Sequence, residues 1–203
     1  MTDSPGLPRH VPTAAATPAT PQRKDAARNW QHIVDTARRF VDDDVPLRLN
    51  DVARAASIGV ATVYRHFPVP EALLETVAQP ALTRLAEAAD RAHPEDDPWQ
   101  AFADFLTAGI DAQLTDASVQ PVFAASSHAL PETTELVTRL HTSTGHLLDR
   151  ARAARVIRAD ITREDVVRLM CGVVFAATVH ATPDERAPLT RTYLDIVLAG
   201  LRG

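Results

Sequence analysis

Cysteine is nearly absent: the one residue, Cys171, cannot form an internal disulfide, which suits a reducing cytoplasm. Glycine is scarce at 7 of 203 residues and aromatics make up only 5%. Together with a large Ala and Leu content, this disfavours a many-turned sandwich or barrel and favours helices. Net positive charge is missing too: 21 Lys and Arg stand against 26 Asp and Glu. That balance excludes a histone-like basic surface and confines any nucleic-acid contact to a local patch. The apolar run Leu169 to Thr182 contains Gly172, His180 and two threonines, and falls short of the roughly 20 residues that span a bilayer. No membrane segment is expected. Residues 1–22 hold Pro5, Pro8, Pro12, Pro18 and Pro21 among Ala and Thr, with no stretch of signal-peptide type, and read as a disordered arm. What remains, 45% hydrophobic and 23% charged, is ordinary globular composition, and the length fits two small domains.

From Asp25 the apolar positions Trp30, Ile33, Val34, Ala37, Phe40 and Val41 recur every three or four residues, as in an amphipathic helix with one buried face. Asp42, Asp43, Asp44 and Pro46 stop it. A short second helix is predicted over Asn50 to Ala56, with Val52, Ala53 and Ala56 inward, and a third over Val60 to Phe67, the two separated by Ser57-Ile58-Gly59. Pro68 and Pro70 lead into a fourth, from Glu71 to about Ala92. Asp97 is placed as N-cap and Pro98 as first residue of a fifth, whose stripe is Trp99, Phe102, Phe105, Leu106, Ile110 and Leu114. A short sixth covers Val119 to Ala125. A seventh starts at Glu132 and carries Leu136, Val137, Leu140, Leu147 and Leu148 towards the basic stretch Arg150 to Arg155. Thr162 with Glu164 and Asp165 opens an eighth, and Pro183 leads into a ninth ending near Gly200. The chain reads as all-α, nine helices, without internal repeat.

Two short helices joined at Ser57 to Gly59 have the helix-turn-helix layout, in which the second helix enters the major groove. At about 100° per residue, Val63 and Phe67 define a core direction for the third helix. Ala61, Thr62 and Arg65 then face the opposite way, flanked by Tyr64 and His66. Small residues let the backbone approach base edges, while Thr, Arg, Tyr and His supply donors for phosphates and bases. Two short helices before a long one also occur in helical bundles, so the pattern by itself leaves DNA binding open.

The residues go further than the pattern. The stretch Leu49 to Pro68, with its Thr62-Val63-Tyr64-Arg65-His66-Phe67 core and the following Glu71-Ala72-Leu73-Leu74, resembles the DNA-binding domain of TetR-type transcriptional regulators. The resemblance covers residues 24 to about 75; the nine-helix count over the rest agrees in pattern. It implies a helix-turn-helix domain over 23–75 and an effector-binding and dimerisation domain over 76–203. The protein would then be a homodimeric, ligand-responsive repressor reading a palindromic operator in double-stranded DNA; the alternative is a constitutive DNA-binding dimer without an effector. Lys24, Arg28, Arg48, Ala61, Thr62, Tyr64, Arg65 and His66 are the candidate DNA contacts. Three departures stand out. The family usually has Gly where Ser57 stands, a capping Ser where Gly59 stands, and often Lys or Arg near the position of Pro70, so one phosphate contact is expected to be missing. Residues 1–75 hold nine basic and nine acidic groups, weak for a DNA binder, but Arg23, Lys24 and Arg28 gather at the start of the first helix, away from the Asp42 to Asp44 end.

Enzyme chemistry finds little support, and no enzyme, cofactor or metal is expected. His141 and His146 are five apart, about 140° around a helix, which spoils the shared face of the four-residue zinc spacing. There is no Gly-rich phosphate loop and no Gly-x-Ser-x-Gly elbow; Cys171, in an apolar run, reads as inert core. Arg150 to Arg155 reads as a second basic patch or as a solvated helix end favoured by the dipole. The aromatic stripe on the fifth helix either fills core or lines a pocket for a small apolar or aromatic effector, with Trp99, Phe102, Phe105, Leu106, Phe123, Met170 and Phe175 as candidate walls and His128 and His141 as polar contacts. The eighth helix is apolar on nearly every side and the ninth has two apolar faces, one more than a single subunit needs. Val174, Leu194, Leu198 and Leu201 are expected at a dimer interface, which would set two recognition helices one or a multiple of ~34 Å apart.

Overall fold

The computed structural model describes residues 21–203, with side chains from residue 25. Among the described residues nine helices run α1 Pro21–Asp42, α2 Leu49–Ala55, α3 Val60–His66, α4 Pro70–Ala92, α5 Pro98–Thr115, α6 Val119–Ala124, α7 Pro131–Ala153, α8 Arg163–Thr178 and α9 Pro183–Leu201. Among the described residues the only β-type pairing is an isolated bridge between Ile157 and Arg202. The arm expected over 1–22 lies outside the described residues except for Pro21 and Gln22, which open α1.

The helix starts follow local chemistry. Pro70, Pro98, Pro131 and Pro183 each occupy the first helical position, where a missing N–H costs nothing and the fixed φ fits. The Asp97 carboxylate accepts from the backbone N–H of Trp99 at 2.9 Å and Gln100 at 3.1 Å. Thr162 and Asp165 form a capping box: the Thr162 hydroxyl accepts the Asp165 N–H at 3.1 Å and the Asp165 carboxylate accepts the Thr162 N–H at 3.0 Å. The Thr162 hydroxyl also donates to the Asp165 carboxylate at 2.6 Å, and this bond, followed by that from the Thr162 N–H, holds the Asp165 carboxyl below the usual range.

The helix ends are less ordinary. No glycine among the described residues has a positive φ, but Asp44, Ser57 and Arg155 do, at 54°, 54° and 57°. Each closes a Schellman motif, with paired bonds such as Ser57 N–H to the Arg54 carbonyl and Ile58 N–H to the Ala53 carbonyl. Asp44 therefore terminates α1 by adopting the left-handed conformation, a more specific device than the poor helix propensity of three aspartates. At Ser57 a Cβ in this conformation costs on the order of 1–2 kcal/mol. Ser57→Gly is expected to stabilise the protein by about 0.5–1 kcal/mol, part of the relief being offset by glycine's unfolded-state entropy. Thermal unfolding with an unchanged or lower midpoint would count against it.

Two cores share α4. Ile33 and Ala37 of α1, Leu49, Val52 and Ala53 of α2, Val63, Phe67, and Ala72, Leu73 and Val77 of α4 form one buried cluster. Ala78, Ala81, Leu82, Leu85, Ala86 and Ala89 of α4 enter the larger one, with Phe102, Phe105 and Leu106 of α5 and Leu140, Leu147 and Leu148 of α7. The division expected after residue 75 thus falls inside a continuous helix, two residues before its last contribution to the first cluster. The basic stretch at the end of α7 is in part a tie: Arg150 donates to the backbone carbonyls of His93 at 2.6 Å and Glu95 at 2.5 Å, clamping the link between α4 and α5.

Candidate DNA-reading head and ligand cavity

On α3 the predicted division of faces is present. Val63 is fully buried and Phe67 is 3% exposed, whereas Ala61, Tyr64 and Arg65 are exposed and Thr62 and His66 half-buried. Phe67 holds its place through ring contacts with Trp30 at 6.3 Å and His66 at 6.4 Å between centroids, so the base of α3 is braced against α1. Arg48 is exposed as the residue preceding α2. Arg28 is exposed on α1 and shares its charge with Asp25 at 3.5 Å. Lys24 lies on α1, its side chain outside the described residues. Gly59 precedes α3 with no side-chain cap, and a Cβ there would meet only the Thr62 hydroxyl at 3.8 Å, so a serine fits.

Between α4, α5, α6, α7 and α8 lies a small cavity of about 30 Å³, lined by apolar Leu85, Phe105, Phe123, Leu140, Val167 and Met170 and by polar Gln113, His141, Thr144 and Cys171. Met170 reaches across α5 only because residue 109 is glycine: a Cβ there would run into the Met170 terminal methyl. Gln113 is buried, its amide nitrogen donating to the Gly109 carbonyl at 3.2 Å and its oxygen 4.0 Å from the Cys171 sulfur. The Thr144 hydroxyl is spent on the Leu140 carbonyl at 2.8 Å. Burial pushes the Cys171 thiol up. His141 is held below the ordinary imidazole range, first by burial and then by the nearby charge of Arg163, with Glu164 opposing. The polar groups of the cavity are therefore uncharged near neutrality.

Four of the expected effector contacts, Phe105, Phe123, His141 and Met170, meet in this wall. The others do not. Phe102 is fully buried and Leu106 is 2% exposed, both core packing. Trp99 lies near the start of α5 under the Arg202 guanidinium, 4.3 Å above its ring centre. Phe175 is 64% exposed on the outer side of α8. His128 lies in an adjoining cleft that also borders His141. Sequence reasoning missed Gln113, Thr144 and Cys171, although a glutamine on the apolar stripe of α5 was a usable signal. His146 sits against His93, 5.8 Å between ring centres, and takes no part.

Residues 97–203 match the family described as the C-terminal domain of SbtR-like transcriptional regulators, in the TetR class. The chain belongs to the TetR family of transcriptional regulators. A TetR regulator from Streptomyces coelicolor is 29% identical, with 85% of this chain and 98% of that one aligned and a TM-score of 0.51. Two more distant structures share the fold. FadR from Bacillus subtilis, in complex with stearoyl-CoA, is 13% identical over 85% of this chain and 99% of its own, TM-score 0.62. RolR, in complex with resorcinol, is 20% identical over 86% and 89%, TM-score 0.51. Among curated proteins no sequence matches.

In this TetR-family chain the residues expected at a dimer interface point inward. Val174 and Leu194 are 3% and 8% exposed and pack with Ile110 and Val173 in a third buried cluster, with Leu198 against it, while Leu201 is 2% exposed in the main core. The cause is that α8 and α9 pack on each other and on α5 through these residues. The opposite face carries Phe175 at 64%, Ile196 at 62% and Val179 at 39% exposure. No described helix is long and apolar enough to cross a membrane.

Proposed function

We propose that the protein is a ligand-responsive homodimeric repressor that reads a palindromic operator with α3 and binds its effector in the cavity between α4 and α8. The supporting observation is the division of α3: Val63 and Phe67 hold it to the core while Ala61, Tyr64 and Arg65 stand free, a geometry suited to a major groove. Lys24, Arg28 and Arg48 supply phosphate contacts, with Thr62 and His66 at the edges of the reading face. The stearoyl-CoA and resorcinol complexes of FadR and RolR support an effector in the same fold, and the apolar cavity here supplies a place for one. Phe175, Ile196 and Val179 form the surface on which a second copy sits.

Fluorescence anisotropy with the protein's own promoter region tests the reading. Arg65→Ala is expected to cost about 1–3 kcal/mol of operator binding and to relax preference at one position. Tyr64→Ala should weaken all sequences alike and reduce the salt slope only slightly. Unchanged affinity and preference in both variants would reject α3 as the reader. A protein that binds operator but is never released by a small molecule would be the constitutive dimer instead.

A further inference from the structure

The exposed surface of α3 begins without a polar side chain. Gly59, Val60 and Ala61 are three consecutive exposed residues, and Val60, at 47%, is a branched apolar side chain left open to solvent. At about 100° per residue it lies on the flank between buried Val63 and exposed Tyr64. It is the first residue of the helix, however, and Gly59 before it has no side chain to cover it. The polar groups come one turn later: Tyr64 follows Val60 by four positions and Arg65 follows Ala61 by four, the spacing that sets side chains above one another on a helix. The whole face is held in place from behind, since Val63 is fully buried and Phe67 packs its ring against Trp30 of α1.

We infer that the operator half-site is read in part through thymine: the C5-methyl group of a thymine seats against the Val60 side chain, with Ala61 beside it. This rests on the reading of α3 as the helix that enters the major groove, and it names the base that Val60 selects. The first residues of a recognition helix are those that meet base edges. In the major groove guanine, adenine and cytosine present hydrogen-bonding groups alone, and thymine adds a methyl group to its acceptor. Val60 and Ala61 have no side-chain donor or acceptor. A polar base edge pressed against them gives up its water for nothing, whereas a methyl group and a valine remove apolar surface from water together. Ala61 is small enough to let the helix come close. The contact carries no charge, so it leaves untouched the salt-dependent part of binding that Lys24, Arg28 and Arg48 supply.

Deoxyuridine pairs as thymine does and lacks only the methyl group, and 5-methylcytosine adds that group to cytosine at the same place, so the contact can be removed and restored on the DNA. The site footprinted in the protein's own promoter region is titrated with full-length protein by fluorescence anisotropy. Deoxyuridine at one or more thymines of a half-site is expected to cost about fourfold each, the factor for one buried methyl-sized group, and about fifteenfold when both half-sites are changed. At the same position a 5-methylcytosine pair should bind about fourfold tighter than a cytosine pair. Val60→Ala should weaken the thymine operator with an unchanged salt slope and cut the deoxyuridine penalty to less than about twofold; Val60→Ser should abolish it. Val60 is half open to solvent, so neither change reaches the core. Deoxyuridine tolerated at every thymine overturns the methyl contact and leaves α3 as the reader, and so does a penalty of the same size in the wild type and both variants. A wild type that binds no promoter DNA overturns the reading of α3 itself.

Discussion

Phe175→Glu and Ile196→Glu proteins are expected to run as monomers in light scattering and to lose operator binding by at least about a hundredfold. Both side chains are more than 60% exposed in the single chain, so neither change disturbs its core, and thermal unfolding of the monomer should remain cooperative. In a two-fold interface every substitution enters twice, and a carboxylate buried there without a partner costs several kcal/mol per copy. Operator affinity falls with it, because two heads on one dimer bind the second half-site at a high effective concentration, an advantage of about 10²–10⁴ that separate heads lack. Val174→Glu is the contrasting case. At 3% exposure it places the charge inside the subunit and should unfold the protein rather than dissociate it. A dimeric Phe175→Glu, Ile196→Glu double variant would remove this face from the interface.

The contrast between Val174 and Phe175 shows where the sequence is informative. A helix with one apolar stripe states its own orientation, and α1, α3 and α5 packed as their periodicity predicts, with Ile33, Val63 and Phe102 at the bottom of their cores. On α8 nearly every position from Leu169 to Val179 is apolar, so the pattern carries no direction. Ile110 and Leu194 decide it, by packing on Val173 and Val174. The cavity was legible only in part for a similar reason. Phe102 and Phe105 share a stripe, and what opens space at one and not the other is the meeting of α7 and α8, including Met170 lying over Gly109. Capping at Asp97 and Thr162 could be read because it involves residues within three positions. Ser57 in a left-handed conformation is not signalled by the serine itself; the only pointer is the glycine that the resembled family usually carries there. Phe102→Ala, a natural probe of a ligand site from sequence, would on this structure remove a fully buried ring and cost about 3–5 kcal/mol of stability. Phe123→Ala is the better test of binding.

Least visible of all is a pair 78 residues apart. Arg38 of α1 donates to the Asp116 carboxylate at 2.6 Å and to the Val77 carbonyl of α4, and Asp116 also accepts the Ser118 N–H at 3.0 Å and the Ser118 hydroxyl. One guanidinium thereby joins the reading head, the shared helix and the corner between α5 and α6, whose flanks carry Gln113 and Phe123 of the cavity. Burial alone would raise the Asp116 carboxyl, but the Arg38 and Ser118 hydrogen bonds and the Arg38 charge outweigh it and hold it below the ordinary range. Arg38→Met is expected to cost about 2–3 kcal/mol, the range for a hydrogen bond between charged groups whose surviving partner is left buried. The sign of the pH dependence follows from the depressed carboxyl. Its stabilisation is complete above the unfolded-state value of about 3.9 and is lost as pH falls through the lower folded value. The gap in melting temperature between wild type and variant should accordingly be constant from pH 5 to 8 and close below about pH 4, and in an Asp116→Asn background the effect of Arg38→Met should no longer show this change with pH. On the ligand-responsive reading proposed above, the same tie would carry a change at the cavity to α3, since a ligand moves the DNA-binding equilibrium only through contacts that differ between two arrangements. Arg38→Met protein should therefore keep its operator affinity within a few-fold while responding less to a ligand that releases the wild type. Full ligand response together with an unshifted melting temperature would leave α4 as the sole link between cavity and head.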